Sequence, residues 1–225
     1  MCQVRYSRIL AGDREGGRQE LAHVPNSGRL RELFLPRIPV LLRPAPSSGR
    51  RTQYDLAMVR LGDRLVSVDA RLPSALVHEA LLEGRIKGME SYRDVQKEVY
   101  YGGLRLDLLA RNGAPCLIET KSITLVENGC ALFPDAPTLR GARHMAALLH
   151  FRQAFGQAAA IFVIQRDDAV TFSPNDQTDP QFGQALREAA SGGVMVRAFL
   201  CLVSPQEITL DREVPVYIRS SRSSS

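Results

Sequence analysis

The sequence predicts a mixed α/β protein in two parts: a small five-stranded β-barrel over residues 1–80, then an α/β domain with a mixed central sheet over residues 81–216, closed by a polar tail at 217–225. Three observations predict it. The chain has 225 residues, 44% hydrophobic and 24% charged, which is enough for one large or two ordinary domains with buried cores. Up to about residue 72 the apolar residues come in short extended runs separated by turn-rich stretches. Beyond it, helical and strand patterns alternate.

In chain order, the extended runs are Val4–Ala11, Gln19–Val24, Val40–Arg43, Tyr54–Leu61 and Leu65–Asp69, with one brief helical pattern at Leu30–Phe34. Gly12–Gly17 and Pro44–Gly49 supply turns. Five short strands suit an oligonucleotide-binding (OB) barrel, and a small SH3-like barrel reads the same way. Helical spacing over Pro73–Glu83 ends at Gly84, a good C-terminal cap. Val95–Ala110, broken at Gly102-Gly103, and Cys116–Lys121 are strands around a turn. Thr138 opens a helix that runs to Phe155 and stops at Gly156. Ala158–Gln165 is a buried strand, Asp179-Pro180 caps and starts a helix reaching Ala190, and Val194–Val203 is a further apolar strand. The ending from Arg219 has no apolar residue and is expected to be disordered.

Composition excludes several classes. No run approaches the ~20 apolar residues of a membrane span, no secretory signal is visible at the start, and a cytoplasmic protein is expected. Cys2, Cys116, Cys130 and Cys201 are far apart, which argues against a disulfide scaffold or a zinc knuckle. The net charge of +5 is lopsided: residues 1–80 hold 13 Arg against 8 acidic residues, and the remainder is balanced at 16 and 16. Basic excess in one region favours a polyanion partner there, because neutralising phosphates releases counterions. A general arginine bias, with 26 Arg among 29 basic residues, explains part of it.

The candidate chemistry lies in Asp107 and in Glu119-Thr120-Lys121. On a strand, residues two apart share a face, so Glu119 and Lys121 project together while Thr120 points away. Asp107 from the neighbouring strand would add a second carboxylate, a donor set for a hard cation, Mg²⁺ or Mn²⁺. Beside such a cation Lys121 would orient a water or stabilise developing charge, the requirements of phosphodiester hydrolysis. Glu98 is placed to complete the acidic set, and Gln165 to orient the lysine or the water. On an exposed strand Glu-x-Lys is an ordinary ion pair worth ~0–1 kcal/mol. Against that, Lys121 is one of three lysines in an arginine-rich chain and follows a buried-looking run, Cys116-Leu117-Ile118.

Strand parity sets a condition on this site. A two-residue turn at Asn112-Gly113 would place Asp107 opposite Ile118 and send the two carboxylates to opposite faces. A shared cation requires Asp107 opposite Glu119, hence an odd loop or a bulge near Arg111–Pro115.

Nucleic-acid contacts are expected from Asn26, Ser27, Gly28, Arg29 and Arg31, a turn whose backbone N–H groups and arginines suit a phosphate. Arg50 and Arg51 in the basic N-terminal part are further candidates. So are Arg140 and His144, which share one helix face. A plain turn and a surface pair are the bland readings of these groups. His78 and His150 fit structural roles. Phe133–Pro137, with two prolines, is expected to be a rigid loop from which Asp135 could approach the cleft, although nothing in the sequence places it there.

These segments carry a resemblance. HVPNSGRL at 23–30, LVSVDARLP at 65–73, RLDLL at 105–109, ETKSITLV at 119–126, FPDAPTLRGARH at 133–144, VIQRDD at 163–168 and Phe182–Ala190, in this order, resemble the sugar fermentation stimulation protein family. The resemblance covers residues 5 to about 216. It implies an N-terminal OB barrel joined to a domain similar to the PD-(D/E)xK nucleases, DNA binding, and a link to regulation of sugar metabolism. It puts Asp107, Glu119 and Lys121 on the nuclease-like positions. Two departures stand out: Glu-Thr-Lys-Ser at 119–122 where the family reads Glu-Val-Lys-Asn, and Asp69 and Ser74 at positions where it carries asparagines. Three functions follow as expectations: a Mg²⁺-dependent DNA nuclease, a non-catalytic DNA-binding regulator with a nuclease-like fold, or an RNA-directed binder or nuclease. A homodimer is left open, and no membrane partner is expected.

Overall fold

The computed structural model describes residues 8–12, 19–45, 49 and 51–218. Arg50 and the tail from residue 219 lie outside the described residues, as do Cys2 and most of the two N-terminal turns. In the first lobe β1 (Arg8–Gly12), β2 (Gln19–His23), β3 (Val40–Pro44), β4 (Tyr54–Leu61) and β5 (Arg64–Ser67) form one five-stranded sheet. β4 is its hub, pairing antiparallel with β3 and β5 and parallel with β2. A register shift between β3 and β4, where Leu41 faces Met58 and Leu42 faces Leu56, lets Leu56 and Val59, three residues apart, reach one small core with Val66, Val24, Leu30, Leu33 and Val68. The helical pattern at Leu30–Phe34 is a single turn, in which the N–H groups of Leu33 and Phe34 both reach Leu30 O at 3.0 Å.

The second lobe begins with α1 (Leu72–Leu82), followed by β6 (Asp94–Tyr101), β7 (Leu104–Asn112), β8 (Ala114–Ile123), β9 (Val126–Glu127), β10 (Cys130–Phe133), α2 (Leu139–Ala154), β11 (Gln157–Ile164), β12 (Thr171–Pro174), α3 (Pro180–Ser191), β13 (Met195–Val203) and β14 (Ile208–Val214). A six-stranded sheet of order β14-β13-β11-β8-β7-β6 is mixed, with β11 parallel to both neighbours and the other pairs antiparallel. β12, β10 and β9 make a small separate sheet. Helix α1 covers one face of the large sheet through Leu76, Val77, Ala80 and Leu81. Helices α2 and α3 cover the other through Met145, Leu148, Phe182 and Leu186. Among the described residues no helix is long and apolar enough to cross a membrane.

Two expected boundaries move. The break between the cores falls at 69–71 and not at 80, because α1, despite following the basic segment, buries its apolar face on β7, β8 and β11. The chain remains docked through Ile218 and does not loosen at 217: the Tyr217 N–H donates to Phe172 O at 2.8 Å, and Ile218 O accepts from Arg187 at 2.7 Å. The helix caps stand as expected. Thr138 accepts from Gly141 N at 3.0 Å, and Asp179 from Phe182 N at 2.9 Å. The second oxygen of Asp179 accepts from Thr138 N at 2.7 Å, so one carboxylate fastens the starts of α2 and α3 together.

The β7–β8 turn is odd. Asn112 pairs with Ala114 around Gly113, whose φ of +74° favours glycine, and the register carries through to Leu108 opposite Ile118. The next step would place Asp107 opposite Glu119. There β7 turns over: Leu108 packs under α1, whereas Leu106, two residues away, packs under α2. β6 turns over with it at Glu98, a non-glycine residue held at φ +55°. The site sits at this crossing.

Candidate functional site

A cleft of about 890 Å³ opens between the two lobes. Asp107, Glu119, Thr120 and Lys121 line it, facing Asn26, Ser27 and Gly28 from the first lobe. Arg71, Ser74 and Ala75 at the start of α1 and Thr138, Arg140, Gly141 and His144 at the start of α2 form walls, and Lys97, Glu98 and Arg105 of the β6–β7 hairpin form the rim.

Where β7 leaves the ladder, the side chain of Asp107 replaces the lost backbone partner. Asp107 Oδ2 accepts from Thr120 N at 2.8 Å and from Thr120 Oγ1 at 2.6 Å. Strict alternation would turn Thr120 away from the site; the turnover of β7 instead brings Asp107 to it, so Thr120 is a positioning residue for this carboxylate. Glu119 is 3% exposed. Its Oε1 accepts from Lys121 Nζ at 2.5 Å and from His144 Nδ1. Arg140 Nε donates to His144 Nε2 at 3.2 Å, which makes Nε2 the acceptor and leaves the proton on Nδ1, directed at Glu119. Glu119 Oε2 is buried and, among the described residues, has no hydrogen-bond partner.

Burial pushes the Asp107 carboxyl above the usual aspartate range, and the Glu119 charge adds to this against the opposing Thr120 bonds and Lys121 charge. Burial also works to raise Glu119, but the Lys121 charge and the His144 contact outweigh it and hold Glu119 below the usual glutamate range. Two carboxylates therefore face one lysine, with one oxygen unused.

Several candidate residues are placed differently from expectation. Glu98 lies on the rim with its side chain 69% exposed, 3.5 Å from Arg105, because the backbone turns over beneath it; among the described residues no group of three or more His, Cys, Asp or Glu side chains is poised to hold a metal. Gln165 does not reach Lys121 or the cleft. It is fully buried behind it, accepting from Ser67 Oγ at 3.0 Å and donating to Ser122 Oγ at 2.7 Å, and it ties the two lobes. The turn at 26–30 does not offer its N–H groups to a phosphate: Gly28 N is bonded to Asn26 Oδ1, and Arg29 N and Leu30 N to Asp135 Oδ2 at 2.7 and 3.1 Å. Asp135 presses so closely that a Cβ at Gly28 would lie 2.6 Å from its Oδ2. Arg29, Arg31 and Arg51 are exposed and do not line the cleft. His144 is buried with both ring nitrogens engaged, so its contact is Glu119 and not a phosphate.

Reading the sequence missed Arg71, Arg105 and Lys97 in the cleft. No local motif marks them; only the hairpin register and the domain junction do. Arg71 Nη2 reaches Asp55 at 2.9 Å and Asp69 at 2.6 Å, and Arg43 reaches Asp69 at 3.0 Å. The extra negative charge of Asp69 is thereby neutralised within the junction.

Comparison with known proteins agrees with this architecture. A family model described as the SfsA N-terminal OB domain matches residues 4–68, and one described as the sugar fermentation stimulation protein RE domain matches residues 71–207. A sugar fermentation stimulation protein homolog of Desulforamulus reducens is 45% identical over 95% of this chain and 90% of its own length. One from Caldanaerobacter subterraneus subsp. tengcongensis is 40% identical over 95% and 94%. The solved structure of Pyrococcus furiosus SfsA in complex with Ca²⁺ superposes with a TM-score of 0.85 at 28% identity, covering 96% of this chain and 92% of that one. With an N-terminal OB domain, a mixed-sheet α/β domain and both family models spanning nearly the whole chain, this protein belongs to the sugar fermentation stimulation protein family.

Proposed function

We propose that the chain is a divalent-cation-dependent phosphodiesterase acting on nucleic acid, DNA foremost, in the cleft between its lobes. The observation that carries this reading is Glu119 Oε2, a buried carboxylate oxygen that has no partner among the described residues and whose charge is felt by the half-buried Asp107 carboxyl. Such an arrangement is costly unless a cation completes it. The residues fit one: Mg²⁺ or Mn²⁺ is held by one or two carboxylates, with water and phosphate oxygens filling the remaining positions. The Ca²⁺ in the related Pyrococcus furiosus structure supports a cation in this family. Asp107 and Glu119 would hold it here. When bound, the cation supplies Lewis acidity and lowers the pKa of water.

The chain's own residues do the rest. Thr120 fixes Asp107, and Arg140 and His144 fix Glu119 so that Oε2 stays turned to the cation. Lys121, its side chain 13% exposed, donates from its ammonium to the attacking water or to a phosphoryl oxygen. Arg105 and Lys97 on the rim neutralise flanking phosphates.

The second reading is a DNA-binding regulator without turnover. It is favoured by Lys121 being already engaged by Glu119. Incubating the purified protein with single- and double-stranded DNA and RNA, in Mg²⁺, Mn²⁺ or EDTA, separates the two. Cleavage of at least one substrate with metal is expected, falling about 10²–10³-fold in Glu119→Gln, Asp107→Asn and Lys121→Ala. Unchanged cleavage in Glu119→Gln contradicts the assignment, and binding without cleavage in any metal favours the regulator.

A further inference from the structure

Among the described residues the two most exposed large hydrophobic side chains are Tyr100, 77% exposed, and Leu139, 74% exposed. Neither lines the cleft itself, but each adjoins residues that do. Leu139 lies between Thr138 and Arg140, which line it, and Tyr100 pairs across the hairpin with Arg105, which lines it too. The other face of the hairpin is occupied: Tyr101 packs edge-on against Phe151 and Phe155, and Leu104 and Leu106 join the core under α2. Alternation therefore projects Tyr100 and Arg105 together from the free face. An exposed ring beside a guanidinium, next to a cleft that holds Lys97, Lys121 and Arg140 among its lining, is the arrangement that binds an unpaired nucleotide: the ring stacks on the base and the cation meets its phosphate.

The size of the cleft points the same way. At about 890 Å³ it lies within the roughly 300–1,000 Å³ of small-ligand pockets, room for a few nucleotides of one strand and not for a stacked duplex.

We infer that the substrate strand enters the cleft unpaired, and that Tyr100 at the hairpin rim stacks on one of its bases, with Arg105 holding the adjoining phosphate. This inference rests on the reading of the cleft as a nucleic-acid site. It makes the β6–β7 hairpin a guide for single-stranded segments or frayed ends, and it makes base stacking a contribution to binding that a duplex does not receive.

The chain contains no tryptophan, so Tyr100→Trp introduces a lone fluorescent reporter. In EDTA, titration of that variant with a single-stranded oligodeoxynucleotide is expected to quench the indole, while a blunt duplex of the same sequence quenches it weakly. In the same buffer Tyr100→Ala is expected to lose about five- to hundredfold in single-strand affinity. Tyr100→Phe should keep that affinity, and Tyr217→Ala, an exposed tyrosine that does not line the cleft, should not change it. An unquenched indole, equal quenching by single strand and duplex, or Tyr100→Ala binding within twofold of wild type overturns the inference. Because chelator is present, none of these readouts depends on turnover: quenching without cleavage in metal keeps this inference and removes the phosphodiesterase reading, and cleavage with an unquenched indole does the reverse.

Discussion

Two acidic pairs at the lobe junction, one fully buried and one with a half-buried member, are treated in opposite ways. Asp55 and Asp69, 3% and 2% exposed, meet two arginines: Arg71 bonds both, and Arg43 bonds Asp69 and lies 3.8 Å from Asp55. Asp107 and Glu119 meet one lysine, and Glu119 keeps an oxygen with no partner among the described residues. The carboxyl pKa values follow. Asp69 is pushed up by burial but held below the ordinary aspartate value of 3.8 by its bonds to Arg71 and Arg43. Asp107, with burial and the Glu119 charge working together, is raised. A compensated pair holds a fold together, whereas an undercompensated one awaits a positive charge.

Stability should separate the pairs most sharply. Asp69→Ala removes the carboxylate that both arginines bond and leaves them Asp55 alone. Breaking a fully buried pair costs ~3–5 kcal/mol, and because Arg43 and Arg71 are 49% and 54% exposed, solvent screening reduces the expected loss in urea unfolding to about 1–3 kcal/mol. Asp107→Asn in the absence of metal should instead be neutral or stabilising by up to about 1 kcal/mol, since it removes a charge that burial disfavours. The signs with pH are opposite. The stabilisation from Asp69 is present above 3.8 and is lost as pH falls through its depressed pKa, so wild type and Asp69→Ala converge in acid. The penalty from Asp107 is present at neutral pH and relieved as pH falls through its raised pKa, so the advantage of Asp107→Asn shrinks on acidification. A destabilised Asp107→Asn would erase the distinction between the pairs.

What could be read from the sequence divides along the same line. Local signals were legible: the Thr138 and Asp179 caps, the Gly84 stop, and the Glu119 and Lys121 pair on one strand face. The requirement for an odd turn was legible too, because parity is a property of spacing, and Gly113 provides that turn. The strands at 126–127, 130–133 and 171–174 were too short for any period to register, and 208–214 alternates around Asp211, Arg212 and Glu213 on an edge. The turnover at Glu98 and Asp107 has no local signature; it shows only when the flanking leucines are seen in different cores. The same holds for Gln165, whose partners Ser67 and Ser122 come from distant segments.

A smaller effect tests whether Glu119 is held in place for a cation. Arg140→Met removes the donor that sets the His144 tautomer, leaving the imidazole free to turn its acceptor nitrogen toward Glu119. A tenfold or somewhat larger loss of divalent-cation affinity is expected, within the 10–100-fold range of such supporting contacts, with the unfolding midpoint of the metal-free protein little changed. Equal metal affinity in Arg140→Met and wild type would reduce the helix face to a structural contact.

Calorimetric titration of the metal-free protein with Ca²⁺ and Mn²⁺ tests the central claim most directly, because it reads the acidic pair without requiring turnover. The account predicts saturable binding in wild type, abolished in Glu119→Gln and Asp107→Asn and retained in Asp69→Asn, with a thermal stabilisation approaching 2.7 kcal/mol at about a hundred times the dissociation constant. Absence of binding in wild type, or binding that survives Glu119→Gln, would contradict it.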